Sequence, residues 1–112
     1  MNDNSGAGSN FMCKFRIKHL NKVVLMDLGV TFHLSIIEYL KSKGKFVLDD
    51  LKVPLSKVLN ASLFGKQLNF YYQHKNTDIM LDPQSPMSDF QDIIDFKKNP
   101  IEIDIHIEHI GA

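Results

Sequence analysis

Two scarcities narrow this 112-residue sequence before any motif is read. Cys13 is the only cysteine, so no disulfide can form within the chain, and a reducing intracellular setting (cytoplasm or nucleus) is expected. Apolar runs are short. The longest, Val23 to Met26 among them, hold four residues, against the ~20 a membrane-spanning helix needs. No signal-peptide pattern opens the chain. An excess of one charge is missing too: thirteen basic residues balance thirteen acidic ones, which leaves no overall field to attract nucleic acid or an anionic membrane. A glycine-rich phosphate loop, a nucleophile elbow and a cysteine cluster are all absent. No catalytic residue, metal ligand, cofactor or small-molecule substrate is therefore assigned.

What remains is ample for one packed domain. Hydrophobic residues make up 44% of the chain, and a domain of this length buries about two-thirds of its unfolded surface. Residues 1–10, small and polar, read as a tail, leaving 11–110 as the domain. The most regular stretch is the last, "PIEIDIHIEHI", where Ile101, Ile103, Ile105 and Ile107 alternate with Glu102, Asp104, His106 and Glu108. That period of two puts the isoleucines on one face of a strand and the charged residues on the other. "FMCKFRIKH" does the same, setting Cys13, Phe15 and Ile17 against Lys14, Arg16 and Lys18. Leu20-Asn21 turns it into a second strand, "KVVLMDLG".

Thr31 is the expected N-cap of a helix "FHLSIIEYLKSK", whose Phe32, Ile36, Ile37 and Leu40 share helical spacing and which Gly44 ends. "FVLDDLKV" reads as short and extended. Pro54 opens a second helix through Leu55, Val58, Leu59 and Leu63 to Gly65. "KQLNFYYQH" is a strand that turns at Lys75-Asn76-Thr77 into "DIML". Ser88 is the expected cap of a helix "DFQDIIDFKK", and Asn99-Pro100 launches the final strand.

This β-β-α-(α)-β-β-α-β order resembles the ubiquitin-like β-grasp superfold over about residues 11 to 109; a ferredoxin-like α+β arrangement is the alternative. The resemblance implies that the first and last strands lie side by side. Lys14, Arg16 and Lys18 would then face Glu102, Asp104, His106 and Glu108 across the solvent side, each opposite pair contributing roughly 0.2–1 kcal/mol. Among ubiquitin-like families, Phox/Bem-type domains join head to tail through a first-strand lysine, matched here by Lys14. Ras-association domains use basic residues such as Lys22 against an acidic partner. The Polycomb RING-finger-associated ubiquitin-like domains are similar in the span from Leu68 to Ile105. Ubiquitin-like modifiers end in a flexible tail closing with two glycines, which Ile110-Gly111-Ala112 does not match, so conjugation is not expected and a domain of a longer protein is.

Function is expected to lie in exposed apolar residues. If Val24, Met26 and Leu28 turn inward, Val23 and Leu25 turn out; the alternative is that this strand is buried on both faces, with the Pro54 helix over it, and that no patch exists. Likewise Leu68, Phe70 and Tyr72 leave Asn69, Tyr71 and Gln73 outside, joined by Met80. Val23, Leu25, Tyr71 and Met80, rimmed by Lys14, Arg16, Lys18 and Lys22, form the expected partner-binding patch of a non-enzymatic interaction module. The partner is another protein, or the chain itself if its charge segregation drives association. Ten basic residues lie between Lys14 and Lys66, and eight acids between Asp78 and Glu108. His106, Glu108 and His109 do not share one strand face, which argues against a metal site. Asp49-Asp50, Asp92 and Asp95 read as solvated charge, His33 as surface, and Cys13 as a buried small hydrophobe.

Overall fold

The structure is a computed structural model that describes residues 11–42 and 45–109; the expected tail 1–10 and terminal residues 110–112 lie outside it. Alternation produces the strands where expected. They are β1 (Met12–Ile17), β2 (Lys22–Asp27), β3 (Lys66–His74), β4 (Thr77–Leu81) and β5 (Ile101–His109). They form one mixed sheet in the order β2-β1-β5-β3-β4. β1 and β5 run parallel at its centre, and the remaining pairs are antiparallel. Each hairpin turns through positive φ at an asparagine, a residue that tolerates it: Asn21 (51°) after the 3₁₀ turn Lys18–Leu20, and Asn76 (64°) next to Lys75 (51°).

One face of the sheet carries the core. Cys13, Phe15, Ile17, Leu68, Phe70, Leu81, Ile101, Ile103 and Ile105 are buried against Tyr39, Leu48, Leu51, Leu55, Leu63 and Met87 from the segments above. Full burial of one such aliphatic side chain is worth about 1.5–3 kcal/mol. The three buried isoleucines of β5 thus anchor this central strand. The result is an α+β domain with few helices.

The helical regions depart from expectation, and local capping explains most of the differences. The single helix expected after Thr31 is two: α1 (Leu28–Phe32) and α2 (Ile36–Ser42). The Asp27 carboxylate accepts the Gly29 and Val30 N–H groups (2.9 and 3.3 Å), so helix starts four residues early. His33, at φ 57°, then closes α1: its N–H reaches the Val30 carbonyl (3.4 Å) and that of Leu34 the Gly29 carbonyl (3.0 Å). Ser35, not Thr31, caps α2. Its hydroxyl accepts from the Glu38 N–H while the Glu38 carboxylate accepts from its own, both at 3.1 Å. Gly44, the expected stop, lies outside the described residues.

"FVLDDLKV" is not extended. Leu48–Leu51 is a 3₁₀ turn running directly into α3 (Lys52–Leu59). The Asp50 carboxylate accepts the Val47 N–H (2.8 Å), and the Leu48 and Asp49 N–H groups go to the Ser85 and Pro83 carbonyls. Asn60, at φ 53°, ends α3 before Leu63. The helix expected over 89–98 is absent, replaced by a 3₁₀ turn Met87–Phe90 followed by irregular turns. The Tyr72 hydroxyl takes the Asp95 N–H (3.2 Å) out of any helical ladder, and Ser88 caps nothing: its hydroxyl is buried without a partner.

Candidate functional site

The opposite face of the sheet carries the residues singled out in the sequence. Register sets them in rows. Val23 faces Arg16, Arg16 faces Asp104, Asp104 faces Tyr71, and Tyr71 faces Met80, so one row crosses all five strands. The neighbouring row runs Leu25, Lys14, Glu102.

The centre of the first row is ionic. Arg16 Nε donates to Asp104 Oδ1 at 2.6 Å and Arg16 Nη1 to Glu102 Oε1 at 2.9 Å, while Lys18 Nζ lies 3.4 Å from Asp104 Oδ2. Asp104 is the most enclosed member, with 13% of its side chain exposed against 40% for Arg16 and 48% for Glu102. The parallel β1–β5 pairing therefore brings the basic and acidic strand faces together and satisfies the acids within the chain. Lys18 reaches Asp104 from the 3₁₀ turn beyond β1, not from the strand. Lys14 is half-buried between Leu25 and Glu102, and Lys22 is exposed at the start of β2.

The apolar residues do not form the single cluster expected of them. Val23 (61% exposed), Leu25 (59%) and Met80 (52%) are on the surface. However, β1 and β5 separate Val23 and Leu25 from Tyr71 and Met80. At about 4.8 Å per strand, three intervals put Tyr71 about 14 Å from Val23, beyond side-chain contact. Tyr71 instead packs on His106, ring centroids 4.6 Å apart. Asn69, expected outside, is buried on this face and donates from Nδ2 to Glu108 Oε1 (2.8 Å).

Some exposed apolar residues escaped the sequence reading. Val58 and Ile37, assigned to apolar helix sides, are exposed, as are Val30, Val53 and Phe64. Val53 and Val58 join Met26, Phe32 and Pro54 in a groove of about 450 Å³ on the helical side of β2. The spacing of Met26, Phe32, Val53 and Val58 carried no signal for it, because the groove needs α3 to pack beside the sheet edge.

Titratable chemistry is sparse. Burial, and then the Asp27 charge, push the Cys13 thiol well above its usual range, which keeps it neutral rather than nucleophilic. Burial likewise raises Tyr39, against the opposing effect of the Met87 amide that donates to its hydroxyl. A concavity of about 620 Å³ lies beside β3 and the 91–98 segment with His74, Asp92 and Asp95 on its lining. Among the described residues no three His, Cys, Asp or Glu side chains are placed to hold a metal ion. Nor, among them, is any helix long and apolar enough to cross a membrane. Asp49 pairs with Lys52 (3.5 Å), and Asp95 accepts the Lys97 N–H in a turn rather than sharing a helix side with Asp92. His33 is exposed, at the C-terminal end of α1. No protein-family model matches the chain, and no curated protein matches it.

Proposed function

We propose that the chain is a ubiquitin-like β-grasp domain that acts without catalysis as an intracellular protein-interaction module. Its partner would bind through the open sheet face around Val23 and Leu25 and the adjoining β2 edge. The strand order supports the fold: two hairpins flank a central parallel pair of first and last strands. A ferredoxin-like sheet, the alternative and the setting for a small enzyme, has no parallel neighbours. The observation that carries the function is the exposure of two large aliphatic residues at 61% and 59% on a terminal strand, with Lys14 and Lys22 beside them. Such a pairing of apolar centre and charged rim is the composition of protein interfaces. Tyr71 and Met80 form a second, separate spot on the far side of the ionic row.

Head-to-tail association through opposite charges is the rival reading. Arg16 and Lys18 already pair with Glu102 and Asp104 of their own chain, which removes much of the basic end from that role. Four baits test these readings in cell extract: wild type, Leu25→Asp, Met80→Asp, and Lys14→Glu with Lys22→Glu, each first checked for folding by circular dichroism. The expected result is a partner lost with Leu25→Asp, kept with Met80→Asp, and little affected by salt. Loss confined to the charge reversal favours the electrostatic rival. Identical recovery by all four baits removes the β2 side of the sheet from consideration.

A further inference from the structure

β2 is a terminal strand, so the backbone groups on its outer side have no strand partner among the described residues. Natural proteins protect such edges with charge, proline, bulges or shortness. β4, the other edge, follows that practice, with five residues of which Thr77 and Asp78 are polar and exposed. β2 has Lys22 at its start and Asp27 at its end. Between them, both of its sides are apolar. Val23 and Leu25 stand on the open face, and Val24 and Met26 on the core side, beside a groove whose lining joins Phe32, Val53, Pro54 and Val58 with Thr31, Asp50 and Lys57.

A strand that fits this edge must be apolar on both faces. The run Val23–Met26 is itself such a strand. From this we infer that β2 is a self-pairing edge: two copies of the chain join antiparallel about Val24, giving one sheet from two sets of five strands. This rests on the reading above that the β2 edge binds protein.

The register follows from the side-chain period. Directly opposed residues share a face, so the two-fold axis must pass through a residue rather than between two. Centred on Val24, Val23 meets Leu25 of the second copy and Leu25 meets its Val23, so the four exposed aliphatics form one cluster. Val24 meets Val24 beneath, and Lys22 meets Met26. No like charges are opposed. Centring on Leu25 would instead set Val23 against Asp27, the carboxylate that caps α1. The contact, one six-residue strand and its flanks, is small beside the roughly 1,200–2,000 Å² of a stable dimer, so dissociation on the order of tens of micromolar is expected.

Sedimentation velocity on the full chain between about 5 and 500 micromolar, with and without added salt, reads this assembly. Wild type should dimerise with little salt dependence. Val23→Lys and Leu25→Glu, both at exposed positions, should each weaken association at least about tenfold. Mixing these two variants should restore it, because the introduced lysine of one copy then meets the introduced glutamate of the other across the axis while the remaining Val–Leu pair stays native. Met80→Glu, on the far edge, should change nothing. A wild type that is monomeric throughout overturns self-pairing. If a partner is nonetheless captured in a Leu25-dependent way, the interaction reading stands and the edge takes another protein's strand. Failure of the mixture to recover overturns the register, and wild-type assembly abolished by salt overturns the apolar mechanism.

Discussion

Replacing Arg16 by Met and Asp104 by Asn, singly and together, measures what the ionic centre of the sheet contributes. Asp104 accepts the Arg16 Nε hydrogen at 2.6 Å with 13% of its side chain exposed. A hydrogen bond to a charged group contributes about 1.5–3 kcal/mol when well enclosed. Arg16 is 40% exposed, and solvent screening reduces that figure. Lys18, 3.4 Å from the other carboxylate oxygen, offsets part of the loss when Arg16 is removed. The coupling energy should therefore be about 1 kcal/mol, equivalent to about 4–8 °C in Tm for a domain of this size. The same cycle on Arg16 and Glu102, whose pair is 40% and 48% exposed, should return about 0.3 kcal/mol. Urea unfolding of the two cycles at low salt and at about 1 M salt separates them. Screening reaches about 3 Å at that concentration, which should extinguish the Glu102 coupling and leave most of the Asp104 coupling. A coupling to Asp104 no larger than that to Glu102, or equal salt sensitivity of both, would refute the reasoning that enclosure of Asp104 sets the strength.

Two further expectations concern the core. Tyr39→Phe keeps the ring packing on Phe11 and Phe46, at centroid distances of 5.0 and 4.7 Å, but strips the buried Met87 N–H of its acceptor. It should cost about 1–3 kcal/mol in chemical denaturation, and a change within about 0.5 kcal/mol would show that the N–H finds another acceptor. Cys13 stays protonated in the fold, chiefly through burial, whereas the unfolded chain ionises it near pH 8.5. Above that pH the unfolded state binds fewer protons than the folded one, so stability falls with rising pH by up to about 1.4 kcal/mol per unit. Cys13→Ala should remove that slope between about pH 8.5 and 10, above which Tyr39 adds its own; an unchanged slope in pH-dependent urea unfolding contradicts the assignment.

Strand faces were legible in the chain because a period of two needs no tertiary partner to be read. Ile101, Ile103 and Ile105 are buried and Glu102 is exposed, as alternation alone dictates. Exposure of Val23 and Leu25 was not legible in the same way, because alternation puts them on one face without saying whether another element covers it. The helices were less legible, since their ends depend on competing caps. Asp27 and Ser35 both outdid Thr31, and His33 took a left-handed conformation that its residue type only weakly favours. The 89–98 segment carries helical spacing, yet Tyr72, distant in sequence, claims its Asp95 amide.

The sequence by itself determined which side chains share a face, where both hairpins turn and that one core could form without a disulfide. Only the tertiary structure decided who stands next to whom across the sheet. Alternation assigns a face but not a neighbour, and the neighbours were set when β5 inserted between β1 and β3 to bury three of its four isoleucines. That insertion paired Arg16 with Asp104, divided the expected apolar patch in two, and left β2 at an edge with Val23 and Leu25 open to a partner.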